Sequence, residues 1–292
     1  MSFWDEIDQA IRDASGEQLT ITDRRTVGGG SINETWHLHG DTGSWFIKLN
    51  TTARLDMFEA EVRGLEEMHR TQTIRVPQPL VTGTTGDIAY LVLEYIQLGS
   101  NMDRLLLGEQ LAALHRTSRL NFGWDINNTI GSTAQINTSS NNWIDFFAEH
   151  RLGYQLKLAQ SNDHLGKVQE LGERVLESFP SLFDTYTPVP SLLHGDLWNG
   201  NCAGDPDGQP VLFDPAMYYG DREADLAMTE LFGGFGSEFF EAYHAQWPVD
   251  PGYPQRKTLY NLYHILNHLN LFGGHYRMQA ERMMESLLSE LK

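Results

Sequence analysis

The sequence is short of positive charge, of cysteine and of long apolar runs, and each shortage excludes something. Lysine and arginine number 21 against 39 aspartates and glutamates, a formal net charge of −18. Affinity for a phosphate backbone comes mainly from clustered basic side chains that release counterions, so nucleic acid is excluded as a partner, and an anionic membrane surface with it. The single cysteine, Cys202, cannot close an intrachain disulfide. The N-terminal Met1-Ser2-Phe3-Trp4-Asp5-Glu6 lacks the basic and apolar regions of a signal peptide. No window approaches the roughly 18 uncharged apolar residues of a membrane span. The expected compartment is therefore the reducing cytoplasm. A Walker A loop is missing as well, since no Gly-Lys-Ser/Thr occurs. What is present is ordinary globular composition, 292 residues with 40% hydrophobic, enough for about two domains of ~150 residues.

The spacing of apolar residues predicts a change of character near residue 97. Before it, an amphipathic helix carrying Phe3, Ile7 and Ile11 on one face precedes strand signals at 21–27, 35–39 and 45–49. Residues 55–70 then turn helical, with Phe58, Val62, Leu65 and Met68 aligned, and Pro77 and Pro79 separate them from strands at 80–83 and 88–96. After it, helices are expected at 102–115, 143–158 and 165–179, with a long Gly- and Asn-rich connection at 121–142. Short strands return at 191–193 and 211–213. The expected fold is α+β in two lobes: residues 1–96 as an antiparallel β-sheet with one inserted helix that binds nucleotide, and 97–292 as a mainly helical catalytic and substrate-binding lobe.

Chemistry concentrates in His194-Gly195-Asp196-Leu197-Trp198-Asn199-Gly200-Asn201 and Phe213-Asp214. The run fits H-x-D-x-x-x-x-N, the catalytic loop of phosphotransferases, in which the Asp takes the proton of the attacking hydroxyl and the Asn binds a metal ion. Asp214, closing the apolar run 211–213, supplies a second hard oxygen ligand for Mg²⁺. A lone Asp before a loop is usually a turn former; three polar residues in this order next to strand signals argue for the site. Lys48 projects from the strand Phe46-Ile47-Lys48-Leu49, where an ammonium is costly unless paired or ligating phosphate. Its expected partner is Glu61, which shares a helix face with Leu65 and Met68, in preference to Glu59 on the charged side. Gly28, Gly29, Gly30 and Ser31 stand between two strand signals with no helix following, which excludes a dinucleotide fingerprint and leaves a flap whose backbone N–H groups can approach phosphates. A plain hairpin turn is the other reading. Leu91 to Ile96 ends the last N-terminal strand, where Glu94 and Ile96 can offer backbone groups to an adenine edge.

With these residues in view the chain resembles the fructosamine kinase family, the ketosamine 3-kinases, within the protein-kinase-like superfamily that includes aminoglycoside and choline kinases. The resemblance is carried by 28–33, Phe46 to Asn50, Met57 to Glu61, Leu93-Glu94-Tyr95, Leu193 to Asn201, Asp214-Pro215-Ala216, Tyr219 to Met228 and 231–235, and spans nearly the whole chain. It implies ATP-dependent phosphorylation of the C3 hydroxyl of a fructosamine, ribulosamine or erythrulosamine. Asp196 is then the base, Asn201 and Asp214 the Mg²⁺ ligands, and Lys48 with Glu61 the phosphate clamp. Phosphate at C3 leaves by elimination after enolisation at the neighbouring ketone, freeing the amine, so such an enzyme deglycates small ketosamines or glycated protein lysines. Some members carry Cys at the position of Ser31, so thiol regulation of the flap is not expected here.

Four residues are expected at the substrate. Trp198 can stack on a sugar face or serve as a core tryptophan. Asp221 and Glu223 can hold a cationic amine or orient the catalytic loop, while Asp225 caps or braces its helix. His268 lies at i, i+4 from His264, a spacing able to bind zinc, but without an H-E-x-x-H motif a cleft-lining role is favoured. Rival functions are a kinase of aminoglycosides or choline-like compounds and a silent nucleotide-binding module. The acidic excess also predicts that cationic ketosamines are better substrates than acidic ones, by a margin that salt reduces.

Overall fold

The computed structural model describes residues 2–28 and 32–291, and its contacts divide the chain into two compact units. The first is Met1–Asp103 with Ala203–Asp214; the second is Arg104–Cys202 with Pro215–Lys292. The expected border at 97 thus moves to 103, and a hairpin from the catalytic region joins the first unit. Residues far apart in sequence make that hairpin part of it. Gly99 and Gly204 exchange backbone hydrogen bonds of 2.8 and 3.3 Å, Leu212 N–H donates to Arg75 O, and Arg75 pairs with both Asp205 and Glu94.

In the first unit α1 (Phe3–Ser15) is followed by β1 (Ile21–Thr26), β2 (Glu34–Gly40), β3 (Ser44–Thr51), α2 (Leu55–Arg70), β4 (Pro79–Thr85) and β5 (Ile88–Glu94). The unit thus holds both expected helices, the amphipathic N-terminal one as α1, which buries Ile7 and Ile11 in the apolar core of the sheet, and the inserted one as α2. Ser2 and Asp5 form a capping box at its start, which satisfies N–H groups the first turn would leave open. The five strands are antiparallel in the order β1-β2-β3-β5-β4. Strand alternation decides both faces: Trp45, Ile47 and Leu49 join Ile7, Ile11, Leu38 and Val92 in one apolar core, so Lys48 must face the other way.

The second unit comprises α3 (Arg104–His115), a small hairpin β6 (Asn128–Ile130) and β7 (Thr133–Gln135), α4 (Trp143–Phe147), a π turn, α5 (Gly153–Ser161) and α6 (Lys167–Ser178). Then come β8 (Ser191–Leu193), β9 (Cys202–Gly204), β10 (Pro210–Leu212), β11 (Tyr218–Gly220), α7 (Glu223–Leu231), α8 (Ser237–Gln246), α9 (Tyr253–Phe272) and α10 (Tyr276–Glu290); β9 and β10 form the hairpin whose bulk lies in the first unit. β8 pairs with β11, Leu193 opposite Tyr218, which ties the strand entering the catalytic loop to the strand that follows Pro215-Ala216-Met217. α3 packs on α8 at Gly108, where a Cβ would fall 2.4 Å from the carbonyl of Phe239. No described helix is long and apolar enough to cross a membrane.

Candidate active site

In the first unit Lys48 is buried, and its ammonium is held between two carboxylates, Glu61 Oε1 at 2.7 Å and Asp214 Oδ1 at 2.5 Å. α2 delivers Glu61 to that face, and Glu59 stays exposed. Burial alone pulls the ammonium down, but the charges of Asp214 and Glu61 outweigh it and hold Lys48 well above the ordinary lysine range. The same burial pushes Glu61 up, against the pull of Lys48. Lys48 is therefore a fixed cation. Asp214 has φ 57°, a left-handed conformation that non-glycine residues rarely adopt and that concentrates at functional positions.

Of the expected flap, Gly28 is exposed, and Gly29, Gly30 and Ser31 lie outside the described residues. Its base is pinned: Val27 N–H donates to Thr35 O, Thr35 Oγ1 donates back to Val27 O, and Asn50 Nδ2 donates to Ile32 O and Asn33 Oδ1. Asn50 was not singled out by its chemistry, though it lies two residues beyond Lys48 on the same strand face. Glu94 gives its N–H to Gln78 O and its carboxylate to Arg75 and Gln78, leaving any contribution to a base edge to its carbonyl. The N–H and C=O of Ile96 have no hydrogen-bond partner among the described residues.

In the second unit the catalytic loop is clamped from beneath by Asp225. Its carboxylate accepts from His194 N–H (2.7 Å) and Gly195 N–H (2.9 Å) and meets His115 Nε2 at 3.2 Å. Burial would raise its pKa, but the hydrogen bond and charge of His115 and the Gly195 N–H win, and Asp225 is held below the usual carboxylate range. Gly195 has φ 82°, and a Cβ there would sit 2.1 Å from the carbonyl of Ala216, so only glycine fits between His194 and Asp196. Asn201 donates through Nδ2 to Asp196 O (2.8 Å) and Asp196 Oδ2 (3.1 Å), fixing the carboxylate. Sequence reading placed Asp225 as a helix brace; that it carries the loop backbone depends on α7 lying under β8, which spacing does not reveal.

The expected substrate residues separate into two pairs. Trp198 is partly exposed, and its ring meets Phe232 edge-on at 6.0 Å; Phe232 in turn lies 5.1 Å from the half-buried His268. Asp221 and Glu223 are a correction: both are fully buried, so neither presents a carboxylate to an amine. Asp221 accepts from Tyr186 and Tyr260, and Glu223 receives Arg256 through Nε and Nη2 at 2.7 and 3.1 Å. Spacing does not reveal these partners, because Arg256 stands 33 residues from Glu223, and Tyr186 and Tyr260 stand 35 and 39 residues from Asp221.

His268 Nδ1 donates to the carbonyl of His264, and no cluster of three or more His, Cys, Asp or Glu able to hold a metal occurs among the described residues. Burial first, then the neighbouring His268, push His264 down to about 3. Its folded pKa thus lies below the ordinary 6.5. Stability is complete above pH 6.5 and falls as acid protonates the unfolded chain alone, by up to about 1.4 kcal/mol per pH unit down to the folded pKa. Melting temperatures of wild type and His264→Gln between pH 7.5 and 5 should diverge in slope, the variant losing less; parallel profiles would remove His264 as the buried titrating group.

The family model of fructosamine kinases matches residues 3–290. A probable ketoamine kinase of Synechocystis is 49% identical over 98% of this chain and 97% of its own. The crystal structure of a Haemophilus somnus chain named for fructosamine-3-kinase superposes with a TM-score of 0.90 at 28% identity, covering 98% of this chain and 97% of the other. An aminoglycoside phosphotransferase solved with AMP-PNP and hygromycin B shares the fold, with a TM-score of 0.66 at 15% identity over 97% of this chain and 98% of the other.

Proposed function

The chain belongs to the fructosamine kinase family, and on that premise we propose that it transfers the γ-phosphoryl group of Mg-ATP to the C3 hydroxyl of a ketosamine. The observation that carries the reading is the catalytic loop: a carboxylate, Asp196, fixed by Asn201 on a backbone that Asp225 clamps. A base so held can take the proton of a sugar hydroxyl as its oxygen attacks phosphorus, without first reorganising. Lys48, oriented by Glu61, neutralises phosphate charge. Ile96, with its backbone groups open, and the carbonyl of Glu94 receive the adenine edge, and the glycine-rich segment that begins at Gly28 is the proposed source of N–H groups for the phosphates.

The donors fit a magnesium ion. Asn201 Oδ1 and Asp214 Oδ2 are hard oxygens with no hydrogen bond among the described residues, since Asn201 uses Nδ2 and Asp214 uses Oδ1. Mg²⁺ takes one or two protein oxygens of this kind and fills its octahedron with phosphate and water. When bound, the ion offsets the charge of the phosphates. In an acidic chain of net charge −18 that offset has to be local, which is why a buried lysine, a cation and backbone N–H groups are needed together.

Phosphorylation at C3 places a leaving group beside the C2 ketone, so enolisation expels phosphate and hydrolysis then releases the amine. The test is incubation with ATP, Mg²⁺ and adducts of fructose, ribulose and erythrulose beside aminoglycosides, following phosphate transfer and amine release. Phosphorylation of ketosamines with amine appearing afterwards is the expected result. Turnover of aminoglycosides alone would overturn the substrate assignment. No turnover at all, with ATP still raising the melting temperature, would make the protein a silent nucleotide binder.

A further inference from the structure

On the ketosamine-kinase reading, we infer that the amine-bearing part of the substrate is received by an aromatic platform running from Trp198 to Phe272, and that the enzyme favours ketosamines whose nitrogen carries an aryl or apolar substituent. Trp198 stands two residues beyond Asp196, within about 7 Å along the chain. Its indole lies over the backbone of Gly200, where a Cβ would fall 2.3 Å from the ring, so the ring is held in place. From Trp198 the rings continue to Phe232 (6.0 Å), His268 (5.1 Å) and Phe272 (5.6 Å), with Tyr276 5.1 Å from His268 and 6.4 Å from Phe272.

The far end of this run is open. Trp198 is 37% and Phe272 55% exposed, although exposing large aromatic faces to water is unfavourable unless something covers them. Gly273 and Gly274, both with φ above 60°, reverse the chain after Phe272 and bring Tyr276 back onto His268. The platform is uncharged at neutral pH, because burial holds His268 below its ordinary range. Its chemistry suits two things a ketosamine offers: a secondary ammonium, attracted to ring faces, and an apolar group to lay over Phe272. Since three carbons separate the amine nitrogen from the hydroxyl that reacts, a substrate whose C3 hydroxyl meets Asp196 must project its nitrogen substituent within a sugar's length of that base. Trp198, the ring nearest Asp196 in the chain, is the first surface it can meet.

The experiment measures kcat/KM for fructose adducts of glycine, propylamine and phenethylamine with wild type and Phe272→Ala. The expected result is an advantage of about fivefold for the phenethylamine adduct over the equally charged propylamine adduct, in line with the contribution of one aromatic contact, falling toward equality in Phe272→Ala, with the glycine adduct reporting the separate effect of a carboxylate. Equal efficiencies within twofold in wild type, or an advantage that survives in Phe272→Ala, would overturn the platform while leaving the kinase reading intact. Absence of turnover on every adduct would overturn both. Phe272 is half exposed at the last turn of α9, so its truncation leaves the core untouched.

Discussion

Replacing Asp196 by Asn is expected to lower kcat about a thousandfold while leaving the affinity for Mg-ATP within a few-fold of wild type. A general base contributes roughly 10² to 10⁴ to such a reaction, and an amide cannot accept the hydroxyl proton. The fold should tolerate the change. The contact from Asn201 Nδ2 to Asp196 Oδ2 needs only an acceptor oxygen, which an asparagine also carries, and the clamp from Asp225 acts on the backbone of His194 and Gly195. Two measurements separate the possibilities: steady-state phosphate transfer, and the rise in melting temperature on adding Mg-ATP. A variant that turns over at the wild-type rate is incompatible with Asp196 as the base. One that loses both turnover and the nucleotide-dependent rise points instead to a role in holding the loop.

The largest effect on stability is expected from Arg256→Met. Arg256 is 1% exposed and Glu223 fully buried, and between them run two parallel hydrogen bonds; Arg256 also reaches Asp250 Oδ1 (2.6 Å) and Leu182 O (3.1 Å) and stacks over Tyr186. Removing the cation strands a carboxylate in the interior, which typically costs about 3–5 kcal/mol. A fall in melting temperature of about 10 °C is anticipated for a chain of this size. Burial already pushes Glu223 above the usual carboxylate range, against the pull of Arg256. Without Arg256 its folded pKa rises further above the unfolded value, so the deficit is greatest at alkaline pH and shrinks as the medium is acidified and Glu223 takes up a proton. Adding Glu223→Leu to Arg256→Met should recover part of the loss, because the stranded charge is then gone. A deficit independent of pH, or a double variant no better than the single one, would mean that the pair is not the source of the stability.

Much of the first hundred residues was legible from apolar patterning: period-two alternation marks β2, apolar runs mark β3 and β5, and helical spacing marks α2. The expected strand at 191–193 coincides with β8, whereas β6 and β7 passed as loop. Three residues each, they are stabilised by the amides of Asn128, Gln135 and Asn137 rather than by an apolar pattern. The pairing of Lys48 with Glu61 followed from helix phase, but its second partner, Asp214, did not, since 166 residues separate the two and only the hairpin at 203–214 brings them together. The amine-holding reading of Asp221 and Glu223 failed for a related reason: acidity in sequence says nothing about whether an arginine or a pair of tyrosines waits in the interior.

By itself the sequence determined the chemistry available to this protein. The order and spacing of His194, Asp196, Asn201 and Asp214, a lysine on an apolar strand, the acidic balance and the single cysteine are properties of the chain that folding cannot alter. Tertiary structure decided which of those groups are usable. It buried Asp221 and Glu223, set Asp225 beneath the catalytic loop, gave Lys48 two carboxylates, and joined Trp198 through Phe232 to His268 and Phe272. The physical reason is that local periodicity encodes which face of an element is apolar, whereas the protonation, exposure and partners of a polar group are set by what packs on it from elsewhere in the chain.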